Sequence, residues 1–128
     1  MIEVSKAKGS YIYDHKNKRY LDFVAGVSAC SVGHCNKEVI NAIKDQSEMY
    51  MHVMVYGEFV TKPSLELAKL LAKNLPNSLN CTYFTNSGTE ALEGSMKLAR
   101  RFTGRKKIIA AKNAYHGSTM GALTLMGL

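Results

Sequence analysis

Between Cys81 and Gly104 the sequence reads CTYFTNSGTEALEGSMKLARRFTG: a β-like run, a small polar turn, then an amphipathic helix that starts at once. The run Cys81–Thr85 predicts a strand, and Thr89–Phe102 a helix. A second strand is predicted over Ile108–Ala111, a loop over Asn113–Gly117, and a final helix over Thr119–Met126. Strand, helix, strand, helix in that order is a βαβ pattern, which implies a parallel sheet covered by helices. Ligands of such sheets bind at the carboxyl ends of the strands. The Asn86–Thr89 turn and the Asn113–Gly117 loop both fall at such ends.

The turn carries chemistry of its own. Ser87-Gly88-Thr89-Glu90 has the S-x-x-E form of a capping box, in which Ser87 caps the helix and Glu90 reaches back to the Ser87 amide. The free amides of the first turn, with the helix dipole behind them, also suit an anion, most often a phosphate. Gly88 lets such a group approach the backbone closely. The turn is not a Walker motif, because no Gly-Lys-Ser/Thr follows it, and it is not GxGxxG. Downstream, Tyr115-His116-Gly117-Ser118-Thr119 puts an aromatic ring and an imidazole on a strand-to-helix loop, where they suit stacking on a flat ring. A packed tyrosine and a satisfied histidine are the alternative there.

Upstream, Ser10–Tyr13 and Arg19–Phe23 are short β-rich runs joined by a polar Asp14–Lys18 turn, a hairpin pattern. Ala25–Gly33 is small and irregular, with bends at Gly26 and Gly33. Asn36 caps a helix running to about Met49, with Glu38 in its first turn and Val39, Ile40 and Ile43 on one face. Thr61–Leu75 is a further helix that tolerates Pro63 in its first turn and carries a Leu67, Leu70, Leu71 stripe. Pro76-Asn77-Ser78 ends it.

Composition excludes several classes. The chain has 128 residues, the length of one ordinary domain, with 46% apolar and 21% charged residues, as in a soluble globular protein. No apolar run approaches a membrane span, and the first residues lack a secretory signal pattern. Cys30, Cys35 and Cys81 are an odd number without metal-like spacing, and read as free thiols of a reducing compartment, the cytoplasm. No metal site is expected. The net charge is +7, and Lys97, Arg100, Arg101, Arg105, Lys106 and Lys107 cluster. Cations there suit the end of a helix, and without interleaved aromatics they make a poor nucleic-acid platform.

Taken in order, Gly9–Asp14 (GSYIYD), Arg19–Phe23 (RYLDF), Gly33-His34, Thr85–Ala91 (TNSGTEA) and Tyr115-His116-Gly117 form a larger pattern. It resembles the N-terminal part of the class III aminotransferases, pyridoxal 5'-phosphate enzymes of fold type I that include the acetylornithine, ornithine and 4-aminobutyrate aminotransferases. The resemblance runs from about Ser5 to Leu128. It implies an α/β fold: an N-terminal small-domain segment over residues 1–58, then the first βαβ units of the large cofactor-binding domain over residues 59–128.

It also implies that the Gly88 and Thr89 amides hold the cofactor phosphate with the Ser87 hydroxyl nearby, that Tyr115 stacks on the pyridine ring, and that His116 and Gly117 complete the loop. Val27 and Tyr56 fall where the family lines its substrate channel. Many members carry Arg at the position of Ser118, where it binds a substrate carboxylate. Serine cannot make that bidentate contact, so an ω-amine donor stays open beside amino acids. Asn36-Lys37 stand where His-Pro is common.

The family's Schiff-base lysine and its pyridinium aspartate are expected downstream, so no catalytic residue is assigned within these residues. The chain reads as an N-terminal fragment that does not transaminate alone. The parent enzyme would move an amino group from an amine or amino acid donor to a 2-oxo acid, as a homodimer. The alternatives are an aminomutase, racemase or decarboxylase of the same fold, or a small basic nucleic-acid-binding module.

Overall fold

In the first 21 residues, a polar turn and alternating aromatic and basic side chains build an antiparallel sheet of order β1-β2-β3: β1 (Val4–Lys8), β2 (Tyr11–Asp14) and β3 (Arg19–Leu21). The computed structural model describes residues 1–54 and 56–127. Val55, inside the Met54–Phe59 stretch used to align Tyr56, and Leu128 lie outside the described residues. Asp14 makes the β2–β3 turn, its Oδ1 accepting the Lys16 and Lys18 amides, both at 2.9 Å. Lys6 pairs with Tyr13 across β1–β2, its ammonium 5.0 Å from the ring centroid. Such cross-strand cation–π pairs are part of what holds a small sheet together. β1 was not expected. VSKAK carries little alternation of its own, and its pairing with β2 is what makes it a strand.

Contacts divide the chain into two units, Met1–Val60 and Thr61–Leu128. In the first, the irregular segment contains one helical turn, α1 (Ala25–Ser28), whose backbone is left-handed throughout: φ is +48° at Ala25, +62° at Gly26, +57° at Val27 and +68° at Ser28. Each non-glycine residue held there costs about 1–2 kcal/mol, so neighbouring contacts must impose the conformation. Asp22 supplies them, its Oδ1 accepting the Val24 amide at 3.0 Å and the Ala25 amide at 2.9 Å. α2 (Lys37–Met49) follows, with the Asn36 side chain accepting from the Glu38 and Val39 amides.

The second unit holds α3 (Lys62–Asn74), with Pro63 in its first turn, then α4 (Gly88–Thr103) and the short α5 (Met120–Leu123). α4 ends on left-handed Gly104, whose amide donates to the Arg100 carbonyl at 2.9 Å.

Two expectations fail here. Cys81–Thr85 and Ile108–Ala111 are not strands, and among the described residues no parallel pairing occurs. A strand exists through its ladder, and neither run has a neighbour to bond with. The last helix is also shorter than expected. Beyond Leu123 the amides of Thr124, Leu125 and Met126 bond three residues back rather than four, a tighter 3₁₀-like spiral.

Burial is slight. Met96 and Ala122, 6% and 0% exposed, are the buried hydrophobic residues among those described, and they sit where α5 meets α4. The apolar stripes of α2 and α3 stay largely open, with Ile43 and Leu70 exposed.

Candidate cofactor site

The Asn86–Thr89 turn is built by local hydrogen bonds. The Ser87 hydroxyl accepts the Glu90 amide at 3.3 Å, capping α4. Glu90 Oε2 reaches back to the amide of Asn86, at 2.8 Å, rather than to that of Ser87. The capping box therefore closes one residue earlier than expected, because the Ser87 backbone is fully extended (φ −153°, ψ 160°). The Thr85 hydroxyl donates to the Ser87 carbonyl at 3.1 Å, which fixes the entry into the turn.

The Gly88 and Thr89 amides stand in the first turn of α4, where no intrahelical acceptor exists. No other hydrogen bond takes them up among the described residues.

In front of these amides lies an open cavity of about 590 Å³, lined by Ser87, Gly88 and Thr89 on one side and Tyr115, His116 and Ser118 on the other. Gly117 forms its floor. With φ +108° it adopts a backbone that L residues rarely take, and a Cβ there would overlap the Thr89 side chain. Gly88 is a different case. Its φ is ordinary, and a Cβ at this position would meet nothing within 4 Å. Neither conformation nor packing within the chain explains a glycine there, and without a side chain the amides stay open to an anion. Tyr115 is 71% exposed and its hydroxyl lies 3.4 Å from Ser118 Oγ. A phosphate-bearing flat ring therefore fits the donor set: two free amides and a hydroxyl for the anion, an uncovered aromatic face for the ring.

The loop that carries Tyr115 is fastened to α4. Thr89 Oγ1 and Thr119 Oγ1 are 2.8 Å apart, and Glu93 Oε1 accepts the Gly121 amide at 2.8 Å. The Thr119 hydroxyl lowers the Glu93 carboxyl below its usual value, and the Gly121 and Ala122 amides and Lys97 act in the same direction against the effect of burial. Glu93, Thr119 and Gly121 escaped the sequence reading. The available signal was a carboxylate one turn beyond Thr89 on the helix face that carries the cap, which in sequence looks like any solvated position.

All the residues expected at the phosphate and ring therefore line one cavity of the second unit. Val27 and Tyr56, expected at the substrate, belong to the first unit. Val27 stands 86% exposed on the left-handed turn. Beneath that turn Asp22 Oδ2 meets His34 Nε2 at 2.6 Å, the two side chains only 12% and 19% exposed. The His34 contact, with the Ala25 and Val24 amides, holds the Asp22 carboxyl below its ordinary value. Among the described residues no group of His, Cys, Asp and Glu side chains could hold a metal ion, and no helix is long and apolar enough to cross a membrane.

The class-III aminotransferase family profile matches residues 1–127. The chain belongs to the class-III aminotransferases. It is 40% identical over 124 residues to an acetylornithine aminotransferase of Archaeoglobus fulgidus, covering 97% of this chain and 32% of the relative. The corresponding enzyme of Methanopyrus kandleri is 42% identical over 123 residues, 96% of this chain and 31% of its own length.

Among solved structures, an adenosylmethionine-8-amino-7-oxononanoate aminotransferase from Methanocaldococcus jannaschii superimposes with a TM-score of 0.91 at 33% identity, covering 99% of this chain and 30% of that one. An (S)-enantioselective omega-transaminase from Thermomicrobium roseum gives 0.91 and 33%, covering 100% and 30%. The described α/β arrangement is therefore part of transferase fold type I. This class-III chain spans about a third of the length of the curated relatives it matches.

Proposed function

We propose that the polypeptide carrying these residues is a pyridoxal 5'-phosphate-dependent aminotransferase. It would transfer an amino group from an amine or amino acid donor to a 2-oxo acid. The observation that carries the reading is the pairing of two free helix-N-terminal amides with an exposed aromatic ring across one open cavity, in a class-III chain.

In this reading the Gly88 and Thr89 amides and the Ser87 hydroxyl bind the phosphate, with the α4 dipole adding to the charge-assisted hydrogen bonds. Tyr115 covers one face of the ring and excludes water from it, and His116 closes the loop edge. Bound pyridoxal phosphate supplies an electron sink for proton removal at the donor carbon. Val27, Tyr56 and Ser118 contact substrate.

Ser118 is neutral and offers a donor carboxylate at most one hydrogen bond, which suits donors whose carboxylate is held elsewhere or is absent. An ω-amine donor therefore stands beside the amino acids in this reading, and one structural neighbour, from Thermomicrobium roseum, is an omega-transaminase. Residues 1–58 belong to the small domain and 59–128 to the large one. The covalent anchor for the cofactor lies outside the described residues, so this chain by itself would not turn over. The protein acts as a homodimer in the cytoplasm.

The test is the native polypeptide carrying these residues, incubated with pyridoxal phosphate, a panel of amines and amino acids, and 2-oxo acids. The expected result is amine-dependent formation of the amino acid from its 2-oxo acid. Cofactor binding without amino transfer to any acceptor would refute the assigned reaction.

A further inference from the structure

Tyr115 has little to hold it. The residue is mostly exposed and its hydroxyl partner, Ser118, belongs to the same loop. What fixes the loop lies at its far end, on the flank of α4. The Gly121 amide donates to Glu93 Oε1 there at 2.8 Å. Thr119 also meets Thr89, a residue of the first turn of α4 itself, at 2.8 Å.

The fit is close on both sides. A Cβ at Gly121 would overlap the Glu93 carboxylate, and one at Gly117 would overlap Thr89. The loop therefore lies against α4 at two points, with one carboxylate and one hydroxyl pair between them.

We infer that Glu93 is a positioning residue: by tying the Tyr115–Thr119 loop to the flank of α4, it sets the spacing between the aromatic ring and the anion-binding amides of Gly88 and Thr89. The inference rests on the cofactor reading above. Ionised carboxylate oxygens only accept, and here Oε1 accepts the Gly121 amide. Glutamine has the same shape but no charge and one acceptor fewer, so its hydrogen bond to the Gly121 amide is a weaker, neutral one. Glu93→Gln thus changes the chemistry of the tie and not its volume.

The decisive comparison uses two probes on the native polypeptide, inorganic phosphate and pyridoxine 5'-phosphate. The second carries ring and phosphate but no aldehyde, so no covalent anchor contributes. For wild type, pyridoxine phosphate binds more tightly than phosphate, and the difference reads the ring contact alone. Glu93→Gln is expected to leave phosphate affinity within about twofold while weakening pyridoxine phosphate about tenfold, a loss of about 1.4 kcal/mol. The Gly121 amide should also exchange its hydrogen faster in the variant.

Equal affinities for both probes in variant and wild type would overturn the inference. So would a parallel loss of both together with a fall in melting temperature, because that is the mark of a merely structural residue. If wild type itself binds pyridoxine phosphate no better than phosphate, the cofactor reading fails instead. The exchange of Gly121 then still decides whether Glu93 holds the loop, and unchanged exchange overturns that as well.

Discussion

Gly88 offers the sharpest separation of fold from function, through the substitution Gly88→Ala. Its backbone is already helical and a Cβ would meet nothing within 4 Å, so alanine enters without strain or collision. Alanine is the better helix former by up to about 1 kcal/mol in a helix interior, and by less in a first turn. Stability should therefore stay level or rise slightly. Cβ bonds tilt toward the helix N-terminus, so the added methyl projects into the space in front of the amides, where the phosphate is proposed to sit. Displacing the anion from one charge-assisted hydrogen bond costs about 1.5–3 kcal/mol, or about ten- to a hundredfold in Kd.

The assay is a cofactor-free thermal melt beside a calorimetric titration with pyridoxine phosphate. Unchanged melting with weakened binding is the expected pair. Wild-type affinity in the variant would refute the placement of the phosphate, and a large drop in melting temperature would show that the glycine serves packing after all.

Gly117→Ala should behave in the opposite way, because both the +108° φ and the overlap with Thr89 oppose a side chain; a loss of more than about 2 kcal/mol in denaturant unfolding is expected, with cofactor binding lost in parallel. Asp22 has a folded pKa below its unfolded one, so its contribution is complete above the unfolded value near 3.9 and disappears as pH falls through the lowered folded value. The protection of the Ala25 amide, its exchange relative to the unfolded rate at the same pH, should fall on acidification through the Asp22 titration in wild type, and in Asp22→Asn it should not change with pH there. Gly94, inside α4 with helical φ and open space around it, should accept alanine with a gain of up to about 1 kcal/mol wherever nothing packs on it. A loss in the native polypeptide would reveal a segment seated against that face.

What the sequence made legible is what neighbours in sequence decide. Asn36 and Ser87 cap their helices and Pro63 sits in a first turn, because a cap needs only the next three amides. The Asp14 turn was readable for the same reason: its side chain closes on amides two and four residues on. β1 needed β2, and the expected strands Cys81–Thr85 and Ile108–Ala111 needed partners that the described residues do not supply. The left-handed run at Ala25–Ser28 could not be read from Val27, a residue that disfavours it. It follows from Asp22, anchored to His34 twelve positions away. Glu93 was missed in the same manner, since its hydrogen-bond partner Gly121 lies 28 residues downstream.

The two open-space glycines of α4 bring these threads together. A helix that selects against glycine by about 1 kcal/mol per site nevertheless carries one at its first residue and one at its seventh. Elsewhere in the second unit Gly117 and Gly121 are accounted for by contacts within the chain, with Thr89 and with Glu93. Gly88 and Gly94 are not, and each borders a cavity, of about 590 Å³ and about 480 Å³. The first cavity presents free amides and an aromatic ring, the signature of an anionic, flat ligand. The second is lined in part by Tyr83, Phe84 and Thr85, a run that lacks a ladder. The backbone of that run is left without a ladder, so Gly94 faces a wall whose pairing groups are free, where Gly88 faces free amides. One helix thus borders, along its own length, two cavities of different character: one lined by free amides and an aromatic residue, the other by a run without a ladder.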